Sequence, residues 1–438
     1  MRPPRTHGPS VTPPRGKNSL GPTSLSEKAR LTGEFADWNN LVHRAVWITG
    51  ELDTAAVREA WRRVCRRHDV LRRTYVSADE ACTHDDVLSE VEFHTAETDE
   101  DAIELMRRFL GTPFSLDGPG FARIAIVQRG ERRHLFGIAM DHIITDLISW
   151  LRIKADFREF YDRALAGEDG EDGDLAEAGS YQDFASEQRR LFSSAWGEER
   201  RAFWSSYTRE FGAYPPRFLA DAEHTGGYRH AVVTRDLPAD ARARVHALSR
   251  QARVTPFAVV SSGVLAGVRE VAGDPTAGIS VAHHGRGLPG TSQTAGLFVQ
   301  TVPLHLGRRS ASPLETVRQV SDRTHDVFEY ALPLTVAGMS WNETLTAADQ
   351  EAAGLYVELN EYPRSTYYTP LFTGTGAEYV ELSLPGDKIW TETVAVSWNL
   401  YETGPQLVAD YNANYLPGAA VEELLGAAER FVLSATRI

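Results

Sequence analysis

The sequence predicts an α/β fold built from two halves of similar size. Short apolar runs typical of buried strands alternate with longer stretches whose apolar residues recur at helical spacing. The same alternation of strand and helix signals starts again near residue 200, and 438 residues are enough for two domains. We therefore expect two α/β units, with the interface between them as a favourable place for a ligand site.

The first half opens with a segment that has little to bury. Residues 1–22 are rich in Pro, Gly and Arg, and we expect them to form a disordered tail. Ordered structure should begin near Ser24, and Asp53 should cap an amphipathic helix. Further signals predict strands at 41–48, 122–127 and 134–140 and a helix at 149–166. The acidic segment 167–174 is interpreted as a solvated linker, because calcium loops need a tighter pattern of carboxylates.

The second half repeats this order of signals. We place the division at residue 195, which gives one unit at 23–195 and a second at 196–438. The sequence predicts helices at 182–210, 239–251, 255–269, 313–330 and 418–436 and strands at 229–235, 279–282, 302–306, 355–359, 393–398 and 406–411.

Composition narrows the possible partners. The net charge of -14 argues against a nucleic-acid binder, which needs a basic face to neutralise phosphates. No apolar run approaches the roughly 20 residues of a membrane-spanning helix. The two cysteines, Cys65 in a helical pattern and Cys82 in a polar loop, predict one buried and one exposed thiol rather than a disulfide. We expect a cytoplasmic protein with no membrane or nucleic-acid partner.

The segment 135–150 is the most informative for function. The apolar run 135–140 predicts a buried strand that brings Asp141 and His142 to its end, and Asp146 follows four residues after His142. A neutral imidazole near two carboxylates can act as a general base. Alternatively, His142 is a strand-end histidine whose hydrogen-bonding groups are simply satisfied by Asp146. The pattern alone leaves both interpretations open.

Five segments in the right order resemble motifs of one protein family, the condensation domains of nonribosomal peptide synthesis. They are RRHDVLRRTY at 66–75, PFSLDGPGFAR at 113–123, MDHIITDLIS at 140–149, YQDFA at 181–185 and GLFVQT at 296–301. The resemblance implies an α/β fold of two chloramphenicol-acetyltransferase-like lobes that form a V with a tunnel between them.

The resemblance also implies roles for individual residues. By position, His142 is the candidate base that orients or deprotonates the acceptor, and Asp146 is the carboxylate that pairs with an Arg of the second lobe. Arg286, in AHHGRG at 282–287, is the expected partner, with a solvated loop cation as the alternative. We assign His142, Asp146 and Asp141 to the catalytic group and Arg286 to its support.

The chain departs from the family pattern at three positions. Asp141 replaces the first His of the paired motif and is either structural or close enough to raise the pKa of the His142 imidazole. Leu147 replaces a Gly that lets a pantetheine-linked donor approach, and Gln300 replaces an Asn. Together with Ser149 and Trp398, Leu147 and Gln300 are assigned to the tunnel, although Trp398 could instead pack the core.

The expected function is that of an acyltransferase that forms an amide or ester from a carrier-bound acyl thioester. No metal or bound cofactor is indicated, because the donor would arrive on the phosphopantetheine arm of an acyl or peptidyl carrier protein. The acceptor would be a small molecule or a second carrier-bound group. Two alternatives stay open: a catalytically degenerate domain that recruits or gates partner enzymes, and altered chemistry such as cyclisation or dehydration in the same tunnel.

Overall fold

The fold was analysed in a computed structural model. It describes residues 18–32, 41–116, 118–168, 178–211, 229–307, 312–333, 355–361, 371–380, 382, 384, 394–402, 404–414 and 416–435. Residues 1–17 of the predicted tail and most of the predicted linker at 167–174 lie outside these ranges.

Both halves contain strands and helices, as the sequence predicts. The single helix predicted at 182–210 is divided into two, Tyr181–Phe192 and Ala195–Phe211, because the first helix ends at Ser193, whose backbone leaves the helical conformation. The first half contains β1 (Ser19–Pro22), α1 (Leu25–Thr32), β2 (Leu41–Thr49), α2 (Thr54–Arg67), β3 (Arg73–Tyr75), β4 (Glu80–Thr83), β5 (Val91–Thr95), α3 (Asp99–Gly111), β6 (Ala122–Gln128), β7 (Arg133–Asp141), α4 (Leu147–Leu165) and α5 (Tyr181–Phe192). The second half contains α6 (Ala195–Phe211), β8 (His230–Asp236), α7 (Ala241–Ala252), α8 (Pro256–Ala272), β9 (Ile279–His283), β10 (Gln300–Leu304), α9 (Pro313–Glu329), β11 (Leu355–Asn360), β12 (Gly376–Val380), β13 (Val394–Asn399), β14 (Gln406–Asn412) and α10 (Gly418–Ala435).

The first lobe is organised around a sheet with strand order β12-β2-β7-β6-β5. Its central strand β7 is buried from His134 to Asp141, because separate apolar clusters cover the two faces of the sheet. A strand buried on both faces reads as a continuous apolar run. Gly137 allows close packing on this strand, since a Cβ there would lie 2.0 Å from Sδ of Met106 on α3.

The second lobe contains a sheet with strand order β10-β9-β11-β13-β14-β8. β11 pairs in parallel with β9 and β13, and the remaining neighbours are antiparallel. One large apolar cluster joins this sheet to α7, α8, α9 and α10. Trp204 and Tyr207 place α6 in the same cluster, so this helix packs with the second lobe.

One segment of the second half crosses to the first lobe. β12 pairs antiparallel with β2, and Leu371 and Phe372 are buried in the first lobe's apolar cluster. The division at residue 195 assigned this segment to the second lobe. In space it completes the first sheet, because the exposed edge of β2 provides the hydrogen-bonding groups that β12 pairs with.

Two smaller predictions are corrected. Ser19–Pro22, assigned to the disordered tail, form β1 because they pair with β4 through register partners such as Leu20 and Cys82. Cys82, predicted to be an exposed loop residue, is buried on β4. Both cysteines are free thiols.

No single helix in the described ranges has the length and apolar character needed to cross a membrane. The pair α7 and α8, bent by 103° at their junction, meets the length and composition requirement together. Much of α8 is buried within the second lobe, which is a common reason for such an apolar composition.

Candidate functional site

The candidate site begins where β7 ends. After Asp141 the chain enters a short 3-10 turn, His142–Ile144, before α4 starts at Leu147. The carboxylate of Asp141 caps this turn by accepting a hydrogen bond from the backbone N–H of Ile143 at 2.8 Å. His142 is therefore the first residue of a turn that is fixed on both sides.

The imidazole of His142 is half-buried and makes no hydrogen bond to the residues that the structure describes. The interpretation in which Asp146 satisfies this histidine is therefore wrong, because both oxygens of Asp146 bond elsewhere. A half-buried imidazole without a protein partner can bind and accept a proton from an incoming group.

Asp146 is buried and surrounded by donors. Its Oδ1 accepts from the backbone N–H of Ser149 at 2.8 Å, which caps α4, and from Nη2 of Arg286 at 3.0 Å. Its Oδ2 accepts from Nη1 of Arg286 at 2.8 Å and from the backbone N–H groups of Phe298 and Val299 at 3.1 and 3.2 Å. Burial alone would raise the pKa of Asp146, but Arg286 and Ser149 hold it below its ordinary value.

These contacts correct the catalytic assignment of Asp146. Both of its oxygens are used by five donors from α4 and the second lobe, so the carboxylate has no free position from which to contact a reacting atom. Its role is the structural one that the pairing with Arg286 implied.

Arg286 is buried against the first lobe, so the alternative of a solvated loop cation is wrong. Its guanidinium lies over the ring of Phe298, with 4.2 Å from Cζ to the ring centroid. The preceding Gly285 has a φ of 67°, and a Cβ there would lie 1.8 Å from the carbonyl oxygen of Phe298. Only glycine lets this loop approach closely enough to direct Arg286 toward Asp146.

Ser149 was assigned to the tunnel, and the structure places it elsewhere. Its side chain is fully buried, its hydroxyl donates to the carbonyl of Gly296 at 2.7 Å, and it accepts from the backbone N–H of Gly296 at 2.9 Å. Nη2 of Arg286 also donates to it at 2.7 Å. Ser149 therefore fastens the start of α4 to the loop before β10.

Asp141 has a partner that no local pattern in the sequence indicates. Nη2 of Arg30, in the last turn of α1, lies 3.6 Å from its Oδ2. Burial raises the pKa of Asp141, while Arg30 and the Ile143 N–H act in the opposite direction. No hydrogen bond joins Asp141 to the His142 ring among the described residues, so the geometry supports the structural alternative for Asp141.

Leu147 and Gln300 occupy different environments. Leu147 is the first residue of α4 and 56% of it is exposed, so its side chain is accessible to a ligand. Gln300 begins β10 and is only 8% exposed. Its Oε1 is buried and accepts no hydrogen bond within the described part of the chain.

Trp398 packs the core of the second lobe and does not line a tunnel. It is 0% exposed on β13, in the same cluster as the helices of that lobe. All six residues of β13 are buried, because both faces of this strand are covered. The tunnel assignment of Trp398 is therefore wrong, and the core alternative is correct.

The segments that carried the resemblance meet in space. Asp69 of segment 66–75 accepts hydrogen bonds from Ser180 Oγ and from the backbone N–H groups of Tyr181 and Gln182, all within 3.0 Å. The hydroxyl of Tyr181 then donates to the carbonyl of Leu297 at 2.8 Å. A buried ion pair between Arg73 and Glu27, not foreseen from the sequence, supports the same region.

A model of the condensation-domain family, described as "Condensation domain", matches residues 38–333. The chain is 28% identical over 294 residues to cyclosporin synthetase simA of Tolypocladium inflatum, and the match covers 64% of this chain and 2% of that protein. It is 27% identical over 310 residues to chondramide synthase cmdD of Chondromyces crocatus, covering 67% of this chain and 8% of the relative. The chain thus spans only a small part of these relatives.

Solved structures show the same fold over almost the whole chain. The X-domain from teicoplanin biosynthesis superposes with a TM-score of 0.77 at 18% identity, covering 98% of this chain and 96% of that one. The condensation enzyme VibH superposes with a TM-score of 0.73 at 15% identity, covering 94% and 95%. The predicted α/β fold of two acetyltransferase-like lobes is confirmed.

Proposed function

This chain belongs to the condensation-domain family of nonribosomal peptide synthesis, and we propose that it is a condensation-type acyltransferase with His142 as its general base. The observation that carries the proposal is the imidazole of His142, which makes no hydrogen bond to the described residues. It lies on a turn that hydrogen bonds stabilise on both sides. Asp141 caps the turn before the histidine, and Asp146 caps the helix after it.

In the proposed reaction, an amine or hydroxyl group of the acceptor attacks the carbonyl carbon of an acyl thioester. His142 accepts the proton of the attacking group as the new C–N or C–O bond forms. The C–S bond breaks, and the proton passes from the imidazole to the departing thiolate. The histidine is regenerated, and no covalent acyl-enzyme is needed.

The donor in this proposal is held on the phosphopantetheine arm of a separate acyl or peptidyl carrier protein. The acceptor is a small molecule or a second carrier-bound group, and the product is an amide or an ester. The protein itself would bind no cofactor. We place the reaction in the cytoplasm, which agrees with two free cysteines.

The proposal is tested by intact-protein mass spectrometry of an acyl-loaded carrier incubated with this protein and a panel of amine and alcohol acceptors. We expect acyl loss from the carrier that depends on both the protein and the acceptor. His142→Ala should slow it on the order of a hundred- to ten-thousand-fold, the usual effect of removing a general base. His94→Ala, on β5 in the first lobe, is the matched control and should retain the wild-type rate.

Two results would contradict the proposal at different points. Activity of His142→Ala within about threefold of wild type would remove the imidazole from the mechanism, since a general base contributes far more. No transfer by the wild-type protein to any acceptor would count against an acyltransferase altogether.

A second candidate function is a degenerate domain that recruits or gates partner enzymes. The specific observations that favour it are the TM-score of 0.77 with the X-domain from teicoplanin biosynthesis and the use of Asp141 in an ion pair where the family has a histidine. That X-domain also has a solved complex with OxyB. Absence of transfer together with stable binding to a second enzyme of the same biosynthesis would support this candidate.

A further inference from the structure

Gln300 and His283 form a pair at the end of the second lobe's sheet. They are register partners across β10 and β9, next to the partners Val302 and Val281. Cross-strand partners project from the same face of a sheet, with Cβ atoms about 5 Å apart. Val281 and Val302 belong to the second lobe's core. Since side chains alternate along a strand, His283 and Gln300 lie on the same face as these valines, one step beyond them.

The position of this pair adjoins the candidate site. Val299, the residue before Gln300, donates its backbone N–H to Asp146, and Arg286, three residues after His283, pairs with the same carboxylate. The segment before Gln300 and the segment after His283 therefore both bond to Asp146, which caps α4 close to His142.

Both side chains have unused hydrogen-bonding capacity. The buried Oε1 of Gln300 has no donor in the described ranges, although Gln300 is only 8% exposed. Nδ1 of His283 accepts from the backbone N–H of Gly285 at 3.3 Å. Burial, with the neighbouring His284, lowers the pKa of His283 to about 4, so its ring is neutral at pH 7. A neutral ring that accepts at Nδ1 carries its proton on Nε2, and this N–H has no acceptor among the described residues.

A buried acceptor without a donor destabilises the fold, because it has lost its hydrogen bonds to water and has formed none within the protein. Its neighbours show the contrast, since Asp146 and Ser149 have their oxygens fully engaged. The packing also fixes the histidine, whose ring centroid lies 4.9 Å from that of Phe328 on α9. Gln300 thus provides a buried acceptor without a donor, and His283 a half-buried donor that is held in place, and the two adjoin the candidate site. This arrangement fits a pair that binds a ligand.

We propose that His283 and Gln300 bind an amide group of the substrate, with Nε2–H of His283 donating to the amide carbonyl and Oε1 of Gln300 accepting from the amide N–H. The inference rests on the proposed function, because it assigns a substrate contact to the same site. The ligand is neutral, since the pair carries no charge and the nearby Asp146 and Arg286 neutralise each other. Two sources supply such an amide: the arm of a carrier, which contains amide bonds, or the peptide backbone of an acyl donor or acceptor.

The test uses variants that keep shape while removing hydrogen-bonding groups. His283→Phe retains a ring against Phe328, and Gln300→Leu retains most of the volume. Thr301→Val, the next residue on the opposite face of β10, is the control for the strand. All are made in a His142→Ala background, so that binding is measured without turnover and the result does not depend on the base being assigned correctly.

Dissociation constants are measured by NMR titration for two probes, pantetheine and N-acetylglycine methylamide, and for the ester analogue of each. We expect Gln300→Leu, which removes the acceptor of the amide N–H, to weaken binding of at least one amide probe about tenfold, the value of one lost hydrogen bond in a buried site, and to leave its ester analogue almost unchanged. His283→Phe removes the donor to the carbonyl, which amide and ester share, and should weaken both about tenfold. Weakening confined to pantetheine identifies the carrier arm, and weakening confined to the glycine derivative identifies the peptide backbone. Equal weakening of amide and ester by Gln300→Leu, or no weakening of either probe by either variant, overturns the proposal.

Thermal unfolding gives a second, independent readout. If Oε1 of Gln300 accepts no hydrogen bond in the ligand-free protein, Gln300→Leu removes an unsatisfied buried group. The ligand-free variant should then melt at the same or a higher temperature than wild type. If His283 and Gln300 instead bond to each other in solution, Gln300→Leu should lower the melting temperature. That outcome would also overturn the proposal.

Discussion

Asp146 and Arg286, 140 residues apart in the chain, form a two-point ion pair with N–O distances of 2.8 and 3.0 Å. The pair joins the residue just before α4 to the loop after β9, and so connects the two lobes immediately beside His142. Both side chains are almost completely buried. The geometry of the site therefore depends on an interaction that neither lobe can form alone.

We predict strong coupling between Asp146→Ala and Arg286→Ala. Removing one member of a buried pair leaves an unpaired charge and should cost roughly 3–5 kcal/mol of unfolding free energy. The double variant should cost clearly less than the sum of the two single changes. Denaturant unfolding of the four proteins gives the values. Additive effects would show that the two side chains do not stabilise the fold as a pair.

A surface pair provides the matched comparison. Arg132 and Glu51 approach within 3.1 Å, but both side chains are largely exposed. The same double-mutant cycle on this pair should give little or no coupling, because water screens exposed charges.

Asp146 should make stability depend on pH in the acid range. Burial would raise its pKa, but Arg286 and Ser149 lower it below the ordinary value of 3.8. Such a group adds stability that is complete above the ordinary pKa and is lost as the pH falls through the folded pKa. We expect unfolding free energy to fall as the pH drops below about 4, and Asp146→Asn to lose less of it over that range. An identical pH profile in the two proteins would contradict the lowered pKa.

Asp141 should contribute with the opposite sign. Burial raises its pKa above the ordinary value of 3.8, so the fold binds this proton more tightly than the unfolded chain does. Its contribution favours folding at low pH and is lost as the pH rises through the folded pKa. Asp141→Asn should therefore lose more stability, or gain less, than wild type as the pH falls toward about 4 from neutral, because the contribution of Asp141 grows between its folded pKa and 3.8. Unfolding measured in buffers from neutral pH down to about 4 decides the sign, and a smaller acid loss in Asp141→Asn would reject it.

The hydrogen bond and the ion pair of Asp141 can be separated by substitution. Asp141→Asn keeps an oxygen for the Ile143 N–H, whereas Asp141→Ala also removes this cap. We expect the alanine variant to be less stable than the asparagine variant by about 1 kcal/mol, the typical net value of a hydrogen bond. In an Arg30→Ala background, Asp141→Asn should become stabilising, because it removes a buried carboxylate that has lost its partner. Equal effects in both backgrounds would show that Arg30 does not stabilise Asp141.

Leu147 tests how the donor enters. If its exposed side chain narrows the approach of a pantetheine-linked donor, Leu147→Gly should preserve or raise acyl transfer from a carrier-bound thioester. If this protein does not use a carrier-bound donor, short free thioesters should be the better substrates for both wild type and Leu147→Gly. Steady-state rates with one acyl group in both forms distinguish these cases. Ile148→Gly is the matched control, because it makes the same kind of truncation at the neighbouring exposed position in the first turn of α4.

Much of the site could be predicted because its residues lie in short segments with a recognisable pattern. The apolar run before Asp141 indicated a buried strand, and β7 ends at that residue. The pairing of Asp146 with Arg286 followed from the resemblance and is present. The assignments of Ser149 and Trp398 to a tunnel were wrong. Neither error could be seen locally, since Ser149 is buried by a loop 147 residues away and Trp398 lies on a strand covered on both faces.

The sequence by itself determined many of the segments that form strands and helices, because side-chain periodicity is a local property of the chain. It did not indicate β1 or β12, which form by pairing with strands distant in the chain. It also determined where the candidate base stands, since His142 follows directly from the end of a buried strand. The tertiary structure alone decided which polar groups have partners. Arg30 forms an ion pair with Asp141, and the hydroxyl of Ser149 donates to the carbonyl of Gly296. The Oε1 of Gln300 has no partner among the described residues. Hydrogen bonds join atoms that folding brings together from distant parts of the chain, so no local pattern records whether a side chain is already engaged or free to bind a substrate.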